Sequence, residues 1–429
     1  MMPRQAIAAL LPRRAQLRTG NSLHLLEAGG AFFPAIFDAF AAARHEIRIE
    51  TYIFGDDDVG HRLIGVLTDA VRRGVQVRLV VDGFGSAPIV PILVDGLRAA
   101  GVEVKVFRPE PPRWRRLSLL RLRRLHRKLI VVDRRIAFVG GINLHDDSDI
   151  RAAVAHETQH ADHTDTTFGP RYDFAVRIDG PLALDVWLAT EWLWWEIGPQ
   201  GDTEETTNRF WWRRHAAQVF QALRQPLRYD ALQHPAGVPA ALLLRNNFRF
   251  RRAIETAYLQ AIGRARERII IANAYFFPGY RLRRALRQAA KRGVRVDLLL
   301  QGRVEYFLQH RATQSLYDRL LKAGMNVYEY TDSYLHAKVA VVDAQWATVG
   351  SSNIDPFSLL LAREANVVVH DARFAGELQA TLDRALATHS VQIHLADCTK
   401  LPWWQRAINR CAFTMMRLGV ALTGQMGRY

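Results

Sequence analysis

The stretch His126-Arg127-Lys128-Leu129-Ile130-Val131-Val132-Asp133, closed by Gly140-Gly141-Ile142-Asn143, occurs twice in the chain. Its second copy reads His336-Ala337-Lys338-Val339-Ala340-Val341-Val342-Asp343 and closes with Gly350-Ser351-Ser352-Asn353, so His, Lys, Asp, Gly and Asn recur at identical offsets 210 residues downstream. A five-point match at fixed spacing is specific as motifs go, and two aligned copies mark a duplicated unit.

In an extended strand, side chains two apart share a face, so His126 projects with Lys128 and His336 with Lys338. The apolar runs Leu129 to Val132 and Val339 to Val342 read as strands buried on both faces, a rigid base for each pair. The glycines and Ser351 let backbone approach a ligand closely, with Asn143 or Asn353 delivering an amide beside it; Gly140, Ser351, Asn143 and Asn353 are therefore the candidate substrate-binding residues. Two imidazoles, two ammoniums and two amides suit displacement at a phosphodiester: a neutral His attacks phosphorus, a protonated His supplies the leaving alkoxide with its proton, and the cations stabilise the five-coordinate oxygens. No metal or other cofactor is called for. Each histidine needs an acceptor to fix its tautomer, and Asp173 and Glu364, each opening a strand-like run after its motif, are the candidates.

The doubled motif resembles that of the phospholipase D superfamily, and the surrounding stretches Glu50 to Phe54, Arg73 to Ser86, Ala272 to Tyr280 and Val349 to Phe357 resemble the cardiolipin synthases in it, in their short form. The resemblance implies a ping-pong reaction through a phosphatidyl-histidine, with the first histidine as nucleophile. It places His126, Lys128, Asp133, His336, Lys338 and Asp343 in the catalytic motif, while implying a mostly structural role for the two aspartates. It also implies a phosphatidylglycerol substrate, and a peripheral place at the cytoplasmic face of a cell membrane.

Strand, helix and strand follow one another from Glu46 to Asp82 and again from Arg268 to Gly302, the order of a parallel α/β architecture. The expected fold is therefore α/β: two pseudo-twofold-related phospholipase D-like lobes, each a mixed sheet flanked by helices, with one active site at their interface. Residues 1–200 form the first lobe, 201–235 a linker, 236–390 the second lobe and 391–429 an amphipathic, membrane-associated tail. An opening strand is expected from Asn21 to Ala28 and a helix from about Pro34 to Ala43.

A net charge of +16 calls for an anionic partner, a membrane rich in acidic lipid or a nucleic acid. Arg accounts for nearly all of it: only six of the 58 basic residues are Lys, and two of those are Lys128 and Lys338. Two cysteines, Cys398 and Cys411, make no disulfide framework, which fits a reducing compartment. No run of some 18 apolar residues exists to span a bilayer. The basic insert between Phe107 and His126, with Trp114 among its leucines, suits either an acidic membrane surface or a solvated loop. The insert Leu144 to Phe168 contains His156-Glu157-Thr158-Gln159-His160 and His163, a formal match to a zinc pattern for which the chemistry has no use; it reads as a rim over the site, since 47 residues separate His126 from Asp173 but only 28 separate His336 from Glu364. Trp211-Trp212 suits either a membrane interface or a core. In the tail, Trp404, Ile408, Cys411, Met415 and Leu418 fall on one helical face and Arg406, Arg410 and Arg417 on another, which suits the lipid headgroup layer or the protein's own core.

Transfer of a phosphatidyl group between two phosphatidylglycerol molecules is the reading these features favour. Hydrolysis or transfer to another acceptor, cleavage of a nucleic acid, and an inert membrane-binding scaffold are the alternatives. The tryptophan-rich and amphipathic segments speak for lipid and against nucleic acid, and both intact motifs speak against a scaffold. The sequence leaves the oligomeric state open.

Overall fold

The computed structural model describes residues 16–87, 89–110, 123–146, 169–197, 237–246, 250–355 and 362–422. Its strands are β1 (Arg18–Glu27), β2 (Glu46–Thr51), β3 (Gln76–Asp82), β4 (Glu103–Phe107), β5 (Lys128–Val132), β6 (Ile136–Gly140) and β7 (Phe174–Asp179) in the first lobe. The second lobe supplies β8 (Val238–Arg245), β9 (Arg268–Asn273), β10 (Arg295–Gln301), β11 (Asn326–Tyr330), β12 (Lys338–Val342), β13 (Trp346–Gly350) and β14 (Glu364–Val369), and β15 (Ser390–Ile393) follows. All lie in one 15-stranded sheet of order β15-β11-β10-β9-β12-β13-β14-β8-β1-β7-β6-β5-β2-β3-β4. Counted outward from the β8–β1 seam, the two halves have the same order and directions, parallel from β2 to β4 and from β9 to β11, antiparallel elsewhere. This is the mixed, duplicated sheet that the strand–helix–strand repeat predicts, with the two halves joined edge to edge.

The two motif strands are buried along their whole length, as their unbroken apolar runs require. One face of the sheet carries a core common to both lobes: Val131, Val176, Val341 and Val367 pack with the helices Leu182–Glu196 and Ala372–Thr388. The opposite face carries two separate cores, one per lobe. In a flat sheet seven strand spacings of about 4.8 Å would hold β5 and β12 roughly 34 Å apart. The sheet instead curls at the seam, where the β1–β8 register shifts between Arg18 and Asn21, and β6 and β7 come against β13 and β14.

Local departures from the sequence reading have packing causes. The first helix runs Ala28–Ala42, so it starts six residues before Pro34 and holds that proline inside; burial of Phe32, Phe33 and Ile36 outweighs the low helix propensity of Gly29-Gly30 and Pro34. β2 stops at Thr51, because Phe54 leaves the sheet to bridge Leu144. In the Leu182–Glu196 helix Trp187 and Trp194 are buried. The tail starts as an edge strand, β15 on β11, before its helices. Most of the basic insert (111–122), most of the His-rich insert (147–168, with His156, His160 and His163), and the linker with Trp211-Trp212 lie outside the described residues.

Candidate active site

β5 and β12 each begin at their motif lysine, two residues after the histidine, so each His-Lys pair stands at the mouth of a buried strand. Arg127, between them, points to the other face: its Nη2 donates to Glu50 Oε1 at 3.0 Å and to the Ala189 carbonyl at 3.0 Å, locking the strand's first turn of chain. The decisive contacts cross between the lobes. His126 Nδ1 lies 3.1 Å from Glu364 Oε1, and His336 Nδ1 lies 2.6 Å from Asp173 Oδ2. Backbone contacts cross with them, since His126 N donates to the Arg363 carbonyl at 3.0 Å and His336 N to the Tyr172 carbonyl at 2.9 Å. Each lobe therefore orients the histidine of the other. With Nδ1 held by a carboxylate, Nε2 is the ring atom left for chemistry.

The lysines complete the cluster. Lys338, fully buried, donates to Asp173 Oδ2 at 3.3 Å and to the His336 carbonyl, and its Nζ is 2.7 Å from His336 Nδ1. Lys128 Nζ donates to the His126 carbonyl at 2.8 Å. Burial is the first cause of every shift here. It lowers both histidines, His336 furthest because the Lys338, Arg171 and Lys128 charges add to it, and it raises Asp173 against the pull of Lys338. Burial and the like charge of Lys338 bring the Lys128 ammonium down to about 7, and Lys338 is lowered too. Two desolvated cations whose charges oppose each other make a site that favours an anion.

Gly140, Gly141, Gly350 and Ser351 lie in close contact with the chain around Asp173 and Glu364. A Cβ on Gly140 would meet Ala175 Cα at 2.5 Å, one on Gly350 the Ala365 carbonyl at 2.4 Å, and one on Gly141 the Asp173 carboxylate at 2.3 Å. At the position matching Gly141, Ser351 donates its hydroxyl to Glu364 Oε2. Gly141 and Ser351 thus border the orienting carboxylates, while Gly140 and Gly350 let β6 and β13 pack closely on β7 and β14. Asn143 and Asn353 are buried in the wall; Asn143 Oδ1 accepts from Ile53 N at 3.3 Å, and Asn353 Oδ1 has no hydrogen-bond partner among the described residues.

Residues 36–157 and 258–386, one motif in each stretch, match the family described as cardiolipin synthase, PLD-like domain. The chain belongs to that family. It is 39% identical over 411 residues to cardiolipin synthase B of Salmonella typhi and 38% identical over 412 residues to cardiolipin synthase B of Escherichia coli strain K12, in both cases over 95% of this chain and 90% of the relative. A crystal structure of phosphatidylserine synthase from Haemophilus influenzae Rd KW20 matches 99% of this chain and 100% of that one with a TM-score of 0.66 at 12% identity, a likeness of fold.

The family motif counts Asp133 and Asp343 among its letters while implying a mostly structural role for them, and their geometry is in keeping with that role. Both sit at the far end of their strands from the histidines. Asp133 accepts from the backbone of Arg44, His45 and Glu46 at 2.8–2.9 Å, and Asp343 from Arg266, Glu267 and Arg268 at 2.8–2.9 Å. Each also opens a turn whose two central residues have positive φ, Asp133 and Arg134, Asp343 and Ala344. They tie hairpin to neighbouring strand. Asp133→Ala should lower unfolding free energy by about 2 kcal/mol through the lost acceptor and the left-handed backbone, read by denaturant titration, while turnover per folded molecule stays unchanged.

Sequence reasoning missed Tyr52, whose ring centre is 4.9 Å from that of His126 and 5.5 Å from Lys128 Nζ. It also missed Arg171, paired with Glu305 of the other lobe at 2.7 Å and adding its charge to the field at His336. Both lie within two residues of stretches the sequence marks, Glu50 to Phe54 and Asp173, so proximity along the chain was the available signal. His145 is buried, and burial followed by Arg171 brings its pKa down to about 4, leaving it neutral. No group of three potential metal ligands occurs among the described residues.

Proposed function

We propose that the chain transfers a phosphatidyl group from one phosphatidylglycerol to the primary hydroxyl of another, giving cardiolipin and glycerol. The observation that carries this reading is the crossed pairing of His126 with Glu364 and of His336 with Asp173, which makes one two-histidine site out of both lobes. The names of its relatives supply the choice of lipid acceptor over water. In the first half, His126 Nε2 bonds to phosphorus while the bond to the glycerol oxygen breaks, and His336 passes a proton to that oxygen. In the second, His336 takes the proton of the incoming hydroxyl, the new P–O bond forms and the P–N bond breaks. Lys128 and Lys338 neutralise the non-bridging oxygens throughout. That substrate puts the proposed place of action at an anionic phospholipid membrane; no described helix is long and apolar enough to cross one. Nucleic acid has no part in this reading.

Purified protein mixed with vesicles of labelled phosphatidylglycerol should release glycerol and cardiolipin in equal amounts; phosphatidic acid as the sole lipid product would replace transfer with hydrolysis. Lys128 sets an expected pH dependence. Its ammonium form receives the anionic diester, and His336, held well below the ordinary histidine value by burial and the Lys338 charge, must carry a proton as well, so kcat/KM should already decline with rising pH below neutrality and more steeply above about 7, where Lys128 loses its proton. Bound phosphate favours the ammonium, so kcat should hold to higher pH. Initial rates across pH separate the two.

A further inference from the structure

Among the described residues, all the strongly exposed large apolar side chains except Leu17 belong to the second lobe and the segment after it. Eight of them form two groups, with Val391, Leu395 and Trp403 outside both. On the helix Trp403–Leu422, Trp404, Ile408, Met415 and Leu418 share one stripe with Cys411, and Met415 and Leu418 are 58% and 60% exposed. About a third of a turn away, Asn409, Ala412 and Met416 are buried on the second lobe's core beside the helix Phe307–Lys322. Arg406, Arg410 and Arg417 are exposed on the remaining face. One face thus satisfies the helix's need for packing, and the apolar stripe is surplus to it.

The second group is Tyr280, Val304, Phe307 and Leu308. These residues follow the C-terminal ends of β9 and β10, and Lys338 pairs with Asn273 at that same end of β9, so they flank the mouth of the site on the His336 side. Glu305, in the same turn, holds Arg171 two residues before Asp173. Phe413, on the packed side of the C-terminal helix, lies on the buried Phe277 with ring centres 5.0 Å apart, which ties that helix to the same lobe.

We propose that this edge of the second lobe is the surface that enters the headgroup layer of an anionic bilayer, with the catalytic mouth beside it. The stripe and the two turns sit at the acyl boundary, and the three arginines stay among the phosphates, each contributing about 1 kcal/mol. Charge complementarity selects this occupant: a chain of net charge +16 with arginines bordering an apolar stripe fits acidic lipid. The inference rests on the lipid-substrate reading for why the mouth lies there, and binding is measured apart from turnover.

The test uses the full chain and two variants, Trp404→Ser/Ile408→Ser/Met415→Ser/Leu418→Ser and Phe307→Ser/Leu308→Ser, in flotation with vesicles of phosphatidylcholine with and without phosphatidylglycerol. Affinity for the phosphatidylglycerol vesicles should fall about 100-fold in the first variant and less in the second, while transfer on substrate dispersed in detergent is unchanged. Unaltered vesicle affinity in both variants overturns the proposal. So does a dimer of the unaltered chain that the first variant splits, because the stripe then meets a second copy. Stripe-dependent binding by a chain that forms no cardiolipin in either format supports the docking surface and sinks the activity reading alone.

Discussion

His126→Ala and His336→Ala should each reduce phosphatidyl transfer by about ten-thousand-fold or more, because each removes a bond-forming or proton-carrying group for which the site holds no substitute. The two variants should differ in what they leave on the protein. A phosphatidyl donor with a nitrophenyl leaving group needs no proton from His336, so His336→Ala should still form the P–N bond at His126. With no base to activate the second hydroxyl, that adduct should persist and appear as an acid-labile mass increase after a neutral quench. His126→Ala should take up no label. An adduct on His126→Ala instead would exchange the two roles while keeping the two-histidine chemistry. Full transfer by either variant would remove the proposed mechanism.

Why one part of this site was legible in the sequence and another was not follows from how far each feature reaches along the chain. The pairing of His126 with Lys128 is a matter of strand period, and the buried runs behind them fix that period, so β5 and β12 could be read residue by residue. Asp173 and Glu364 could be picked out as carboxylates opening a strand. Which histidine each one serves could not, because the answer depends on the curl at the β1–β8 seam, a contact between residues more than two hundred positions apart. The glycines were read as room for a ligand; Gly141 gives room to the Asp173 carboxylate, and Gly140 and Gly350 to the adjacent strands, which a pattern of small residues alone does not distinguish. The tail shows a third case. Its apolar stripe was visible from spacing, but the face that packs on the second lobe is the adjacent one, carrying Asn409, Ala412 and Met416, whose mixed composition gives no periodic signal.

The crossed carboxylates carry the second large effect, and they are not equivalent. Asp173→Asn removes the acceptor that fixes the His336 tautomer and also the counter-ion of Lys338, which is fully buried. Loss of a tautomer-fixing carboxylate costs on the order of ten-thousand-fold in turnover where it has a comparable role, and stranding a buried charge costs about 3–5 kcal/mol. Activity and stability should therefore fall together, the loss of stability being smaller at high pH, where a Lys338 of already lowered pKa sheds its proton. Glu364→Gln removes the acceptor for His126 and the carboxylate that acts most strongly on Lys128, but the neighbouring Ser351 hydroxyl can still donate to the amide oxygen, and Lys128, held by the His126 carbonyl and already lowered to about 7, can shed its proton. Its activity should fall as far as that of Asp173→Asn with a stability loss of only about 1 kcal/mol. Adding Lys338→Met to Asp173→Asn isolates the cause: removing the stranded charge should return most of the lost stability and none of the turnover. If the double variant unfolds as easily as Asp173→Asn alone, the buried ammonium is not what destabilises it, and Asp173 holds the two lobes together by some other contact.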